Sequence, residues 1–249
     1  ANKKSFLLVM SEDITERKNF NEAKDNFLSI ASHQLRTPLS ATKWVLESIS
    51  EDNKNLTPKQ LTKFKDLTVS NERLINLVNR LLDVTKIESG KLMVNKKNIN
   101  LENLVNDICS SFRILAEEKG KNIKIISSPG VEKVFSDPVL ITEAVENLLS
   151  NAIDYSAEGS KDIIIKIENR KDEYLISVHN DGNIEPALIH KVNFFEKFVR
   201  GKTAVERQPS GSGLGLFITK KVAEANGGDI WFESKPESGT TFYLTINKK

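Results

Sequence analysis

The sequence predicts an α+β protein of two domains: an antiparallel helical hairpin that forms a dimeric four-helix bundle, then an α/β sandwich with helices on one mixed sheet. Two long stretches of helical periodicity, joined by a polar segment, predict the hairpin. A change to short strands and helices after Gly90 predicts the sandwich. We therefore expect residues 1–18 to end an upstream domain and its linker, 19–93 to form the hairpin and 94–249 the sandwich.

The composition excludes several classes of protein. With 39% hydrophobic and 28% charged residues, 249 residues suffice for one large or two modest cores. The net charge of +2 provides no strong field for nucleic acid. The single Cys109 cannot form an internal disulfide, which fits the cytoplasm. The apolar run from Phe6 to Met10 is far shorter than the roughly 18 residues of a membrane helix. We expect neither nucleic acid nor membrane contact in this segment.

The first helix is predicted to begin after Asp13, which has capping-box spacing with Glu16. Apolar residues then recur at spacings of three and four, at Phe20, Ala23, Phe27 and Ile30. On this periodicity Leu35 and Leu39 point inward and His33 points outward. Pro38 is expected to bend or loosen the helix. Residues 5–10 predict a short strand without a local partner.

The second helix is predicted to begin at Pro58, between an N-cap at Thr57 and a reciprocal capping side chain at Gln60. Its apolar seam consists of Leu74, Leu77, Leu81 and Val84. A hairpin of two helices is too thin to bury such a face by itself. The sequence therefore predicts a homodimer.

The sandwich begins with a helix from Asn100 to about Glu118. Strands are predicted at 123–127 and 131–135, and Asp137 with Pro138 opens a helix through Tyr155. Alternating residues at 163–168 and 174–178 predict a hairpin, and a helix from Leu214 to about Ala225 precedes a final hairpin. The polar stretch from Gly201 to Ser212 carries few apolar residues and is expected to be mobile.

The stretch from Ala31 to Leu39 surrounds the candidate nucleophile His33. A lone outward histidine is usually an ordinary surface residue. This stretch, however, closely resembles the H-box of histidine kinases of the dimerisation-and-phosphoacceptor type. The resemblance implies that His33 accepts the γ-phosphoryl group of ATP and that Thr37 orients water during dephosphorylation. Gln34 stands where most relatives have a carboxylate, so we expect slow autophosphorylation and a favoured phosphatase direction.

The stretch from Glu143 to Tyr155 places Asn147 and Asn151 on one helical face, since they are four residues apart. It resembles the N-box of the same family, which implies that these two asparagines bind Mg²⁺. In isolation they are as readily ordinary surface asparagines. Asp154 departs from the pattern, because a basic residue that touches phosphate is usual there.

Two further stretches complete the resemblance. The segment from Phe194 to Gly201 is similar to the F-box, and Gly211 to Leu216 opens a helix with glycines that let backbone approach phosphate. The resemblance implies this nucleotide-binding set: Asn147, Asn151, Tyr155, Asn180, Asp181, Gly182, Lys197, Arg200, Gly211, Gly213, Leu214, Gly215 and Thr240.

The adenine segment is the poorest match. Relatives read roughly Asp-x-Gly-x-Gly-Ile, whereas this chain runs from Asn180 to Ile184 with the second glycine missing. When the two patterns are aligned on the preceding strand, Asn180 takes the position of the aspartate that contacts adenine in those relatives. We therefore expect ATP to bind in preference to GTP, but weakly.

The resemblance covers about residues 12–247 and implies an ATP-dependent protein-histidine kinase of a two-component system. It further implies ATP and Mg²⁺, a homodimer, and transfer to an aspartate in the receiver domain of a response regulator. Residues 13–18 resemble the linker that follows PAS sensor domains. Gln34, Asp154 and Asn180 leave open a degenerate ATP-binding scaffold or a phosphatase-dominant regulator. A chaperone-type or repair-type ATPase of the same superfamily would need neither the H-box nor the hairpin.

Overall fold

A computed structural model of the chain describes residues 15–51, 56–89, 94–131, 133–157, 159–160, 162–189, 191–208 and 211–248. The chain divides into two compact units between residues 91 and 92. The strand predicted at residues 5–10 and the N-cap predicted at Asp13 lie outside the described residues. None of the helices in the described ranges is long and apolar enough to cross a membrane.

The first unit is a hairpin of helix α1, Thr15–Glu51, and helix α2, Pro58–Glu88. Helix α2 begins as predicted: Thr57 Oγ1 accepts from the backbone N–H of Gln60 at 3.3 Å, and Gln60 Oε1 accepts from that of Thr57 at 2.9 Å. Helix α1 continues without interruption past Pro38. The capping box thus fixes the start of α2.

Polar and apolar contacts together set the pairing of the two helices. Arg36 donates to Asn79 Oδ1 from Nε at 3.1 Å and from Nη2 at 2.8 Å. Asn71, which is 6% exposed, donates from Nδ2 to the carbonyl of Leu39 at 3.0 Å. Among the side chains of this unit that the structure describes, the buried apolar ones are Leu46, Val78, Leu82 and Val84.

The predicted apolar seam is only partly buried in the single chain. Val84 is buried as expected, whereas Leu35, Leu74 and Leu77 are 50%, 49% and 45% exposed. The inward orientation predicted for Leu35 stays a prediction, because it refers to a bundle in which a second copy covers this face. Two helices can cover only the side chains that lie between them, so the rest of an apolar stripe stays on the surface.

The second unit begins with strand β1, Lys97–Asn100, and helix α3, Leu101–Glu118. Its remaining elements are β2 (Asn122–Ser127), β3 (Lys133–Ser136), α4 (Pro138–Tyr155), β4 (Asp162–Asn169), β5 (Glu173–Asn180), α5 (Pro186–Ile189), α6 (Lys202–Arg207), α7 (Gly215–Ala225), β6 (Ile230–Lys235) and β7 (Gly239–Asn247). The short helix α6 lies inside the polar stretch from Gly201 to Ser212, for which no helix was predicted.

The main sheet has five strands in the order β2-β4-β5-β7-β6. Strands β2 and β4 are parallel and the other neighbours antiparallel, which confirms the predicted mixed sheet and both predicted hairpins. Strands β1 and β3 form a separate antiparallel pair, so the prediction of one sheet was incomplete. Strand β1 gives little sequence signal, because Ile99 is its one partly buried residue.

Side-chain caps and apolar burial position the helices of this unit. Asn100 Oδ1 accepts from the N–H of Asn103 at 2.9 Å, and Asp137 Oδ1 accepts from that of Val139 at 2.8 Å. Cys109 in α3 is 1% exposed, and burial raises the pKa of its thiol to about 11. The thiol is therefore neutral near pH 7 and acts as a small apolar core residue.

Candidate functional site

Helix α4 contributes two asparagines to the candidate site. Asn147 and Asn151 lie one turn apart on one face of the helix, and Asn147 is only 6% exposed while Asn151 is partly buried. The Asn147 amide nitrogen Nδ2 is buried without a hydrogen-bond partner. Leaving such a group unsatisfied costs roughly 1–3 kcal/mol, so a polar ligand at this position would recover that loss.

The end of strand β5 lies against the end of α4. Asn180, 3% exposed, is paired in the sheet with Thr240 of β7, and its Nδ2 also has no partner. Thr240 Oγ1 donates to the carbonyl of Gly182 at 2.7 Å. A Cβ on Gly182 would lie 1.8 Å from the carbonyl oxygen of Tyr155. Tyr155 of the N-box-like stretch, Asn180 and Gly182 of the adenine segment, and Thr240 of β7 are thus brought together.

Asp181 is oriented differently from its neighbour. Its side chain is 53% exposed, accepts from Ser160 Oγ, and lies 3.4 Å from Nε2 of His179. The opposite ring nitrogen of His179 is 2.9 Å from Thr241 Oγ1. Asn180 is therefore buried at the end of β5, whereas the neighbouring Asp181 lies on the surface.

The F-box and glycine segments contact each other. The N–H of Phe198 donates to the carbonyl of Gly213 at 3.0 Å, and Phe198 is the one described non-glycine residue with positive φ, at 63°. A Cβ on Gly213 would lie 2.9 Å from the carbonyl carbon of Phe198, and one on Gly211 3.1 Å from Nη2 of Arg200. Gly213 is therefore required, because its φ is +68° and the neighbouring atoms are backbone, whereas a side chain at Gly211 would only have to displace the Arg200 guanidinium.

Arg200 and Lys197 have partners within this part of the fold. Arg200 Nη2 donates to the carbonyls of Ala204, at 2.6 Å, and Gln208. Lys197 Nζ lies 5.5 Å from the ring centroid of Phe217 in α7. Helix α7 begins at Gly215, directly after the fully buried Leu214.

The H-box residues lie on α1 in the first unit. Gln34 and Thr37 are exposed on that helix, which also contains His33. The His33 side chain lies outside the described residues, so its predicted outward orientation stays a prediction.

Sequence reasoning missed three polar side chains near the candidate site. Lys121 is 7% exposed and donates from Nζ to the carbonyls of Ala157 at 2.7 Å and Ser160 at 2.8 Å, which fixes the loop that carries Ser160. Lys119 contacts Asp154 Oδ1, and Gln208 contacts Asp154 Oδ2. The two residues in each of these contacts are 35 or more positions apart along the chain, so no local sequence pattern predicts the contacts.

The donor set around α4 fits Mg²⁺ only together with a phosphate ligand. Within the described ranges, no group of three or more His, Cys, Asp or Glu side chains could hold a metal by itself. Asn147 and Asn151 offer neutral amide oxygens to a metal, and the unsatisfied Nδ2 of Asn147 could donate to an acceptor such as a phosphate oxygen. Mg²⁺ commonly uses one or two protein ligands and completes its shell with water and phosphate oxygens.

Comparisons with known proteins agree with this architecture. Residues 23–90 match the His Kinase A (phospho-acceptor) domain, and residues 136–249 match the histidine kinase-, DNA gyrase B-, and HSP90-like ATPase. The sensor histidine kinase WalK of Bacillus subtilis is 33% identical over 248 residues, 98% of this chain and 40% of WalK. BarA, a signal transduction histidine-protein kinase of Escherichia coli, is 30% identical over 232 residues, 90% of this chain and 24% of BarA.

Solved structures show the same fold. Full-length ShkA, crystallised with AMPPNP, matches with a TM-score of 0.74 at 22% identity and covers 89% of this chain and 45% of its own. The catalytic domain of the histidine kinase ThkA matches with a TM-score of 0.53 at 29% identity, over 62% of this chain and 96% of its own.

A phospho-acceptor hairpin followed by this ATPase domain on one chain defines the catalytic core of a histidine kinase. The chain belongs to the sensor histidine kinases, as predicted from the H-box and N-box. It spans well under half the length of WalK and BarA.

Proposed function

We propose that this chain binds Mg-ATP, phosphorylates His33 on itself and passes the phosphoryl group to an aspartate in the receiver domain of a response regulator. One observation carries the proposal. The unsatisfied amides of Asn147 and Asn180 lie in an ATPase-type domain, on a chain whose other unit matches a phospho-acceptor domain.

Nucleotide binding is proposed to begin at Asn180. Its amide can donate to a ring nitrogen of adenine while its oxygen accepts from the exocyclic amine, the two-point contact by which asparagine reads adenine in DNA. Thr240 supports the site by holding the carbonyl of Gly182. The backbone of Tyr155 at the end of α4 approaches Gly182 so closely that a side chain at residue 182 would displace it.

The phosphates are proposed to lie between α4 and the glycine segment. Asn147 and Asn151 would hold Mg²⁺, which would supply positive charge against the phosphate oxygens. Gly211, Gly213, Leu214 and Gly215 lead into α7, whose N-terminal N–H groups favour an anion. Arg200 and Lys197 add positive charge close to that segment.

The transfer requires a neutral imidazole. A ring nitrogen of His33 forms a bond to the γ-phosphorus, the bond from that phosphorus to its bridging oxygen breaks, and ADP leaves with the electron pair. The imidazole N–H proton is then lost. Gln34 can accept a hydrogen bond from the imidazole but cannot take its proton, which predicts a slow forward step. In the separate dephosphorylation of the response regulator, Thr37 would orient the water that attacks the aspartyl phosphate, which releases inorganic phosphate.

A homodimer in the cytoplasm is the proposed form of the protein. Trp44 is 74% exposed, and Leu35, Leu74 and Leu77 are about half exposed, so the hairpin presents apolar side chains that a second copy would cover. The proposed upstream partner is a sensor domain of the PAS type, whose linker would end near residue 18.

Incubation with γ-labelled ATP tests the proposed kinase activity. We expect an acid-labile, alkali-stable label on the protein, and none from α-labelled ATP. Normal ATP binding without such a label would instead support a degenerate scaffold, the alternative that Gln34, Asp154 and Asn180 leave open. Release of label from a phosphorylated receiver domain on addition of the chain would show the phosphatase direction.

Asn151→Ala should weaken Mg-dependent ATP binding roughly 10- to 100-fold, the usual effect of disturbing a metal site. The α4 fold should persist, because alanine favours helices. Titration calorimetry with and without Mg²⁺ measures the effect, and Asn106→Ala in α3 is the matched control. Equal Mg-ATP affinity in the Asn151 variant and the wild type would exclude the metal role.

Asn180→Asp should tighten ATP binding about fivefold, because a charge-assisted hydrogen bond is worth about 1 kcal/mol more than a neutral one. The exposed Asp181 supplies the matched control, since Asp181→Ala should leave affinity nearly unchanged. Fluorescence titration with ATP and GTP provides the dissociation constants. Loss of binding in Asp181→Ala would mean that the base is read one residue further along the chain.

A further inference from the structure

Asp154 of α4 has a role that its position in the N-box does not assign. It lies three residues after Asn151, so the two side chains are neighbours on the helix. The Asp154 side chain is 15% exposed and has two partners from other segments. Oδ1 contacts Nζ of Lys119 at the C-terminal end of α3, and Oδ2 accepts from Nε2 of Gln208 at 3.4 Å.

Gln208 connects Asp154 to Arg200. The backbone N–H of Gln208 donates to the carbonyl of Ala204 at 3.1 Å, which closes the end of α6. Arg200 Nη2 donates to the carbonyls of both Ala204 and Gln208. Arg200 and the end of α6 are therefore held together by hydrogen bonds. The hydrogen bond from the Gln208 side chain to Asp154 then connects this segment to α4.

We propose that Asp154 is a positioning residue of the nucleotide site: it holds the segment that carries Arg200 beside Asn151, and Lys119 balances its charge. A basic side chain at this position, as relatives have, could not accept from the Gln208 amide. Here Lys119, at the end of α3, contributes the positive charge. The Asp154 carboxylate can therefore hold the segment that carries Arg200. This inference rests on the proposed nucleotide binding.

The charge balance matters because Asp154 lies one turn from a proposed phosphate-side ligand. An unpaired carboxylate there would repel a triphosphate, whereas a carboxylate in contact with an ammonium does not present a net charge. Fixing the Arg200 segment before binding also lowers the entropy that is lost when a nucleotide orders it. Asp154 and Lys119 therefore act on affinity in two separable ways.

The two effects are tested with three changes. Gln208→Ala removes the hydrogen bond to Asp154 but keeps the ion pair between Asp154 and Lys119. Lys119→Met leaves the Asp154 carboxylate without its cationic partner. Lys119→Met combined with Asp154→Asn removes both charges. We expect Gln208→Ala and Lys119→Met each to weaken binding of an ATP analogue roughly three- to tenfold. The double change should recover most of the Lys119→Met loss, and that loss should shrink at high salt.

Proteolysis without nucleotide supplies an independent measurement. Trypsin cleavage after Arg207, followed by mass spectrometry, should accelerate in Gln208→Ala but not in Lys119→Met. Lys124→Met, which breaks the ion pair of Lys124 with Asp162 in the same unit, should change neither cleavage nor affinity. Cleavage at the wild-type rate in Gln208→Ala would overturn the proposal. If the wild type bound no nucleotide, the proposed function would fail. The cleavage result would still show whether the hydrogen bond between Gln208 and Asp154 holds the segment.

Discussion

Replacing His33 with alanine should abolish the acid-labile label that the chain acquires from γ-labelled ATP. The imidazole is the proposed nucleophile, and neither alanine nor a neighbouring side chain of the H-box can replace it. Helix α1 should persist, because alanine has the highest helix propensity. ATP affinity should be unchanged, since His33 lies in the first unit and the nucleotide-binding set in the second.

His33→Gln is the matched control for this experiment, because it keeps a polar side chain of similar length without a nucleophilic nitrogen. It should also be unlabelled, while size-exclusion chromatography should give the wild-type elution volume for both variants. Label retained at the wild-type level on either variant would place the phosphorylated residue elsewhere.

Gly182→Ala should cause the second large loss, in nucleotide binding. Its Cβ would lie 1.8 Å from the carbonyl oxygen of Tyr155 and 2.8 Å from Nδ2 of Asn180. Relief of the first contact requires the end of α4 to move away from the end of β5, since backbone cannot rotate aside as a side chain can. Overpacking of this kind costs typically 1–3 kcal/mol, and the displaced atoms belong to the site itself.

Calorimetry with an ATP analogue and a thermal melt of the same sample separate binding from stability. Gly159→Ala is the matched control: a Cβ there meets nothing within 4 Å, but φ is +79°. It should lower stability through backbone strain and leave affinity unchanged. An affinity for Gly182→Ala within twofold of the wild type would contradict the proposed position of the nucleotide.

Local signals predicted the elements that have local causes. Thr57 and Gln60 mark the start of α2, and Asp137 with Pro138 marks that of α4, because capping depends on residues three apart. The β1–β3 pair and α6 were missed. A four-residue strand and a six-residue helix gain their stability from partners elsewhere in the chain.

The same distinction applies to the candidate site. Motifs indicated Asn147, Asn180 and Gly182; the structure places Gly182 and Asn180 against the end of α4, and Asn147 is buried within that helix. The partners of Asp154 were not predictable, because Lys119 and Gln208 reach it from different elements. The surface position of Leu35 and Leu74 depends on how many helices pack together, which periodicity alone does not give.

The pairing of Asn180 with Thr240 has a consequence for product inhibition. These residues belong to β5 and β7, interior strands of the five-stranded sheet, whereas Arg200 depends on a six-residue helix and a few side-chain contacts. Under the proposed function, ATP and ADP share the adenosine half of the site, which the sheet holds in place before either binds. The site must then distinguish ATP from ADP in its phosphate half, which contains Arg200. We expect the sensitivity of this kinase to the cellular ATP:ADP ratio to depend on residues 200–208 rather than on the base contact.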